Sequence, residues 1–436
     1  MSFALIRVCV LGGALMLIAG CGGSSGGGSG SGGSGGGGNP TTVTFTVTGG
    51  TPTAVATSTG TGSFTAATLT AGKLTLDLPS GTTNFAVAFV CPPVSLTASQ
   101  VLETFENVFE ASTLDGTSFS QSCPTTPTAG STGTLTGAVD ANAIAGASFL
   151  NIDAENGTAQ QGVYEGTPSG NFSFAAPVGT DRVAVLAYDS VLSGFEQFFS
   201  LVAVKNFSSQ TVPGTLNGGN TVVLGAADQT TPEPLTYKSV PPGYNAPSTL
   251  VSYEFSGGDG FIIANGVTSE YPSVPAGAAE SGDDYIFMSA AGNAANALEQ
   301  ASVSTFSSSA GPVSVTFPPA WSYVGPTPAA RPSFDLSYPG FSGQTGVHEG
   351  VGVNWFIGTT AANFILVTPT GNYLNGSTTI AIPDLSSLTG FLAPPASGTL
   401  VEWSAEISQG SFPSLQPLPP NGTVTTVSNA GNYIVP

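Results

Sequence analysis

The chain has 436 residues, of which only six are Lys or Arg against 26 Asp or Glu, a formal net charge of −20. Charged residues make up 7% of it and apolar ones 40%. So few cations exclude nucleic-acid binding, which needs clustered Lys and Arg to displace counterions, while the acidic surface favours solubility and repels anionic lipid.

The first element is apolar. Arg7 and the amino terminus carry positive charge, and Val8–Ala19 follows as a short apolar run. A membrane span needs about 20 apolar residues, so this run describes a cleaved secretory signal rather than a spanning helix. It closes on Ile18-Ala19-Gly20-Cys21, which resembles the lipobox of bacterial lipoproteins. The resemblance implies that the signal, 1–20, is cut before Cys21, that the Cys21 thiol carries diacylglycerol, and that the new amino terminus is acylated. The partner there is the membrane, reached through the lipid. Two or three acyl chains hold a protein stably where one does not, at roughly 0.8 kcal/mol per buried CH₂. Residue 22 is Gly and not Asp; in that family this implies an outer-membrane or cell-surface address for an exported protein. Residues 22–38 are only Gly and Ser. Such a tract has nothing to bury, and as a coil it spans roughly 20–25 Å. Segment 21–39 is therefore expected to be a lipidated tether.

From residue 40 onward the pattern has period two. In TTVTFTVT (41–48), Val43, Phe45 and Val47 share one face and threonines the other. KLTLDL (73–78), VSVTF (313–317) and EWSAEI (402–407) alternate in the same way. Gly, Pro, Asn and Ser interrupt every 8–12 residues, which predicts half-buried antiparallel strands and an all-β chain of tandem β-sandwiches. TASQVLETFENVFEAS (97–112) has an apolar helical face, and SAAGNAANALEQ (289–300) suits a short turn or helix.

An internal repeat decides the first of these. GKLTLDLPSGTTNFAVAFVC (72–91) aligns without gaps on GNFSFAAPVGTDRVAVLAYD (170–189), matching Pro79 with Pro177 and Gly81 with Gly179. Further on, Phe105–Phe109 answers Phe195–Phe199, where the second copy continues as the strand-like SLVAVKNF. Both FExxF segments are therefore predicted to be strands. The unit of 95–100 residues is the size of one sandwich domain, and proline-rich joints at 231–247 and 325–333 divide the rest. The expected domains are 40–130, 131–228, 229–328 and 329–436. GTLTGAVDANAIAGASFLNIDAENG (133–157) with the strand-turn-strand that follows resembles the carboxypeptidase-regulatory, transthyretin-like β-sandwich family. That resemblance implies stalk, adhesive or accessory roles without a conserved active site.

Of four cysteines, Cys9 leaves with the signal and Cys21 is lipidated. Cys91 and Cys123 remain as a pair in an exported chain, which predicts a disulfide; two buried free thiols or a metal site are the alternatives. Closing that loop contributes about 3–4 kcal/mol in the chain-entropy picture.

Few residues suggest chemistry. His348, the sole histidine, would need an activated serine and a carboxylate to act as a base; an exposed loop position is the plainer expectation. With one histidine a zinc site is not expected. Glu402 with Glu406, and Asp283 with Asp284, are carboxylate pairs of the kind that cleave glycosides, although solvated strands and turns account for them. Asp153, Glu155 and Asn156 precede Gly157 in a turn-like stretch without the spacing of a calcium loop. All three tryptophans lie in the C-terminal half. Large aromatics fill cores but also stack on sugar rings; Trp321, in PPAWSYVGP, with Tyr323 and Trp355, is the candidate platform for carbohydrate. Composition and motifs together predict a non-enzymatic surface lipoprotein without metal or cofactor, binding through its sandwiches or serving a structural role. A carbohydrate or matrix adhesin, a surface-protein binder and an extracellular hydrolase are the other readings.

Overall fold

The computed structural model describes residues 41–60, 62–97, 100–123, 131–155, 164–165, 168–193, 196–256, 260–341, 347–357, 361–410 and 421–436. The fold is an all-β sandwich. The first part of the chain forms β1 (Thr41–Gly49), β2 (Ala54–Thr59), β3 (Thr65–Ala66), β4 (Lys73–Leu78), β5 (Asn84–Cys91), β6 (Val94–Thr97), β7 (Gln100–Ser112) and β8 (Ser118–Cys123). Next come β9 (Thr132–Asp140), β10 (Phe149–Ala154), β11 (Tyr164–Glu165), β12 (Ser169–Pro177), β13 (Gly179–Ser193), β14 (Glu196–Val212), β15 (Gly214–Thr215) and β16 (Val222–Val223). The third set is β17 (Thr231–Lys238), β18 (Ser248–Glu254), β19 (Gly260–Val267), β20 (Glu270–Ser273), β21 (Asp284–Gly292), β22 (Gln300–Ser307) and β23 (Val313–Thr316). The last is β24 (Ser333–Asp335), β25 (Val347–Ile357), β26 (Ala361–Pro369), β27 (Thr379–Ala381), β28 (Leu400–Gly410) and β29 (Asn421–Ile434).

One pairing scheme recurs in all four sets. The first strand pairs antiparallel with a later edge strand: β1 with β4, β9 with β12, β17 with β20, β24 with β27. A four-stranded sheet runs opposite it: β3-β2-β5-β7, β11-β10-β13-β14, β19-β18-β21-β22 and β26-β25-β28-β29. In the first three, a short last strand returns parallel to the first. The aligned Pro-x-Gly turns sit at equivalent joints, between β4 and β5 and between β12 and β13. Gly81 and Gly179 both take positive φ there, 82° and 143°, which a side chain would oppose.

The four larger sheets join edge to edge into one sheet of seventeen strands. Its order follows neither the chain nor a simple tandem. β7 of the first set pairs in parallel with β26 of the fourth, β29 of the fourth pairs with β22 of the third, and β19 of the third touches β14 of the second over two residue pairs. The sets thus lie in the order first, fourth, third, second.

Cores form where the small sheets and loops cover this sheet. Val43, Phe45, Leu74, Leu76 and Phe119 pack on Phe85, Phe89, Phe105 and Phe109, and Phe364 and Leu366 of β26 join them across the parallel seam. Phe105 stacks on Phe364 at 5.5 Å between ring centres. The fourth set covers the opposite face with Trp321, Phe334, Ile380, Ile382 and Leu385 over β25, β28 and β7. Leu135, Phe172 and Phe174 pack on Ile152, Val183 and Val185. The other side of β13 and β14, with Ala184, Leu186, Tyr188 and Leu201, belongs to the core of the third set.

Both FExxF segments fall in strands, β7 and β14 for their described parts. The amphipathic face seen in 97–112 is overridden because pairing with β5 and β26 buries both sides of β7. Residues 289–300 are not helical: β21 continues to Gly292, a turned segment follows, and β22 begins at Gln300. There Asn293 Nδ2 donates to Glu299 Oε2 at 3.0 Å and its Oδ1 accepts from the Ala295 amide at 2.9 Å. These local bonds compete with helix. The Cys91–Cys123 disulfide is formed and ties β5 to β8 across the first sandwich.

Candidate functional site

The aromatics expected to face a ligand are inside. Trp321 is 3% exposed and Trp355 7%. Trp321 Nε1 donates to the Ser337 carbonyl at 3.2 Å, and Tyr323, half-buried, stacks on the Trp321 ring at 5.1 Å. Trp403 fits between Gly325 and Gly431; a Cβ at either glycine would lie 2.7 Å from its ring. These rings fill the space between the large sheet and the segments that cover it, which corrects the expectation of a sugar platform at Trp321, Tyr323 and Trp355. The cause is volume: Trp355 of β25 and Trp403 of β28 stand among Val351, Val353, Val401 and Ala405 in this core, and Trp321 from the covering segment fills the space over them.

His348 lies in β25 and not in a loop, with Ser408 of β28 as its partner in register. Ser408 Oγ donates to Glu406 Oε1 at 2.7 Å and meets Thr426 Oγ1 at 3.0 Å. The register therefore brings a serine and a carboxylate beside the histidine position, a grouping the sequence spacing does not reveal. The hydroxyl hydrogen of Ser408 is directed at Glu406, so the serine is held in a polar ladder with Glu406 and Thr426. Along the same face of β28, Glu402 accepts from Asn354 Nδ2 at 3.1 Å. Burial pushes the Glu406 carboxyl up, and the Ser408 hydroxyl works against that.

This face of β25, β28, β29 and β22 is turned away from the core of the fourth set. It carries Asn354, Glu402, Ser404, Glu406, Ser408, Thr426, Ser428, Ser302 and Ser304 in register and has no cation. Neutral hydroxyls and carboxylates so arranged accept hydrogen bonds from uncharged polar groups and repel anions.

The remaining carboxylates are structural. Asp283 is buried against Arg182 of β13, and its neighbour Asp284 begins β21, so the pair does not face one substrate. Asp153 lies in β10, not in a turn; it is buried, accepts from Asn151 Nδ2 at 3.1 Å, and burial pushes it up to about 7. A carboxyl so desolvated is not an open calcium ligand. Glu155 follows it, and Asn156 lies outside the described residues, as does Cys21. Among the described residues no three His, Cys, Asp or Glu come together as a metal site, and no helix is long and apolar enough to cross a membrane.

Sequence reasoning missed two buried polar clusters. Arg182 sits 3% exposed with its guanidinium 4.2 Å from the centre of the Phe255 ring, on Asp283. Glu106, fully buried in β7, accepts from the Leu392 amide at 3.0 Å, while Arg331 Nη2 donates to the Leu392 carbonyl at 2.6 Å. Burial pushes Glu106 up to about 7, against the Leu392 bond and Arg331. One signal was available: a lone Arg in the apolar strand DRVAVLAY of so cation-poor a chain needs a buried partner.

No protein-family model matches the chain, and no curated protein matches it. A solved candidate adhesin from Bacteroides ovatus is 9% identical, over 38% of this chain and 72% of that one, with a TM-score of 0.14. A likeness of that size carries no argument about fold or role.

Proposed function

We propose that the protein is a lipid-anchored bacterial surface protein that presents a rigid β platform for binding or structural work, and is not an enzyme. What supports this reading is the combination of the lipobox-like Ile18-Ala19-Gly20-Cys21 and the Gly/Ser tract that follows it with four strand sets joined into one sheet further along the chain. A leash lets the body reorient, while edge pairing joins the strand sets to one another. The register of the partly exposed Glu402, Ser404, Thr426 and Ser428 supports an uncharged, hydroxyl-bearing partner for this cation-free face. Radiolabelled fatty acid tests the anchor: the wild-type chain incorporates label and fractionates with membranes, and Cys21→Ser loses both. An unlabelled wild-type chain, or membrane association unchanged by Cys21→Ser, would overturn it.

A further inference from the structure

The four small sheets each end in an equivalent strand, β4, β12, β20 or β27, and among the described residues nothing pairs with its outer edge. Free edges invite pairing with other chains, and proteins guard them with charge, proline or shortness. Three of the four are guarded. β4 exposes Lys73 and Asp77, the latter held by Thr42 Oγ1 at 2.7 Å. β20 opens on exposed Glu270 and contains Pro272, which has no N–H to offer. β27 has three residues and is followed at once by Ile382 and Pro383. β12 has none of these devices. It is nine residues long, carries no charge, and has its one proline at the last position. Its exposed positions are Asn171, Ser173 and Ala175, while Phe172, Phe174 and Ala176 anchor it in the core.

We propose that two copies of the chain associate by pairing β12 with β12, antiparallel about a twofold axis, fusing the two small sheets into one. A strand paired with itself this way makes the same bonds from both sides, which is the isologous arrangement of a twofold dimer. A register centred on Ser173 sets Asn171 opposite Ala175, so small uncharged side chains meet. With no charge along the strand, nothing selects an acidic or basic partner over a second copy. The net charge of −20 opposes association, so added salt strengthens the dimer by screening.

Sedimentation velocity of the purified chain, at concentrations of about 1–100 µM, tests this. The wild type shifts to twice the monomer mass, at lower concentration when salt is raised. Ser173→Lys with Ala175→Lys, both at exposed positions, stays monomeric with an unchanged unfolding midpoint, whereas Thr75→Lys on β4 still dimerises. Ser173→Cys gives a disulfide-linked dimer under mild oxidation and Thr75→Cys does not, which holds even if the lysine variant folds poorly. A wild type that is monomeric throughout, a dimer that survives the two lysines, or cross-linking equal at both sites overturns the proposal.

Discussion

Replacing Asp283 by Asn tests how the second and third strand sets are held together. The carboxylate accepts from Arg182 Nη1 and Nη2, both at 2.7 Å, from Tyr253 Oη at 2.8 Å, and from the amides of Ser256 and Glu280 at 3.1 and 2.8 Å. Arg182 further donates to the Ala278 carbonyl at 3.2 Å, and its Nε lies 3.5 Å from Glu280 Oε1. An amide of the same size removes the charge and turns one acceptor into a donor facing other donors. The guanidinium, sealed from water, then keeps only the part-exposed Glu280 carboxylate, 3.5 Å from its Nε, as counter-charge, and breaking a buried pair in this way costs about 3–5 kcal/mol. That is a large part of the 5–15 kcal/mol typical of a domain. Equilibrium urea unfolding followed by far-ultraviolet circular dichroism measures it. Tryptophan fluorescence alone does not suit, because all three tryptophans lie at or beyond residue 321. Arg182→Met with Asp283→Leu removes both charges and recovers most of the loss. The pH dependence has a definite sign. Burial alone would raise the Asp283 carboxyl, but Arg182, the Glu280 amide and Tyr253 together hold it below its ordinary value. Its contribution is therefore complete above the unfolded value near 3.9 and is lost as pH falls through the lower folded one; Asp283→Asn lacks that dependence. A cost under about 1 kcal/mol, or a double variant no better than the single, would refute the argument.

Two other substitutions read out the fold. Glu106 holds its proton up to about 7 in the folded chain but releases it near 4.3 when unfolded. Its contribution is thus present below 4.3 and declines as pH rises toward 7; Glu106→Gln keeps an acceptor for Leu392, matches the wild type at pH 4 and exceeds it in unfolding midpoint at pH 8. Gly431→Ala places a methyl 2.7 Å from the Trp403 ring, and thermal unfolding registers the overpacking as a loss of about 1–3 kcal/mol.

Period-two alternation made the strands legible one by one, as in Val43, Phe45 and Val47 of β1, all buried as the pattern requires. The repeat of 72–91 in 170–189 foretold two strands about a Pro-x-Gly turn, and β4-β5 and β12-β13 have that form. It also turned the helix-like face of 97–112 into the strand β7. The disulfide followed from having two cysteines, Cys91 and Cys123, left once Cys9 and Cys21 were assigned to the expected signal and lipid site. The burial of Trp321 did not follow, because a proline-rich segment looks the same in sequence whether it lies over a core or over water. Asp283, read as part of a solvated turn, proved to be half of a buried ion pair held by two bonds from Arg182.

The sequence by itself determined which residues form strands and which side of each is apolar, because alternation and turn chemistry are local properties of the backbone. Only the tertiary structure decided that the four strand sets lie in the order first, fourth, third, second, that β7 and β26 run parallel, and that His348 stands opposite Ser408. Strand edges offer the same N–H and C=O groups whatever their sequence, so the choice among edges comes from how distant faces pack: Phe364 against Phe105, Arg182 against Asp283.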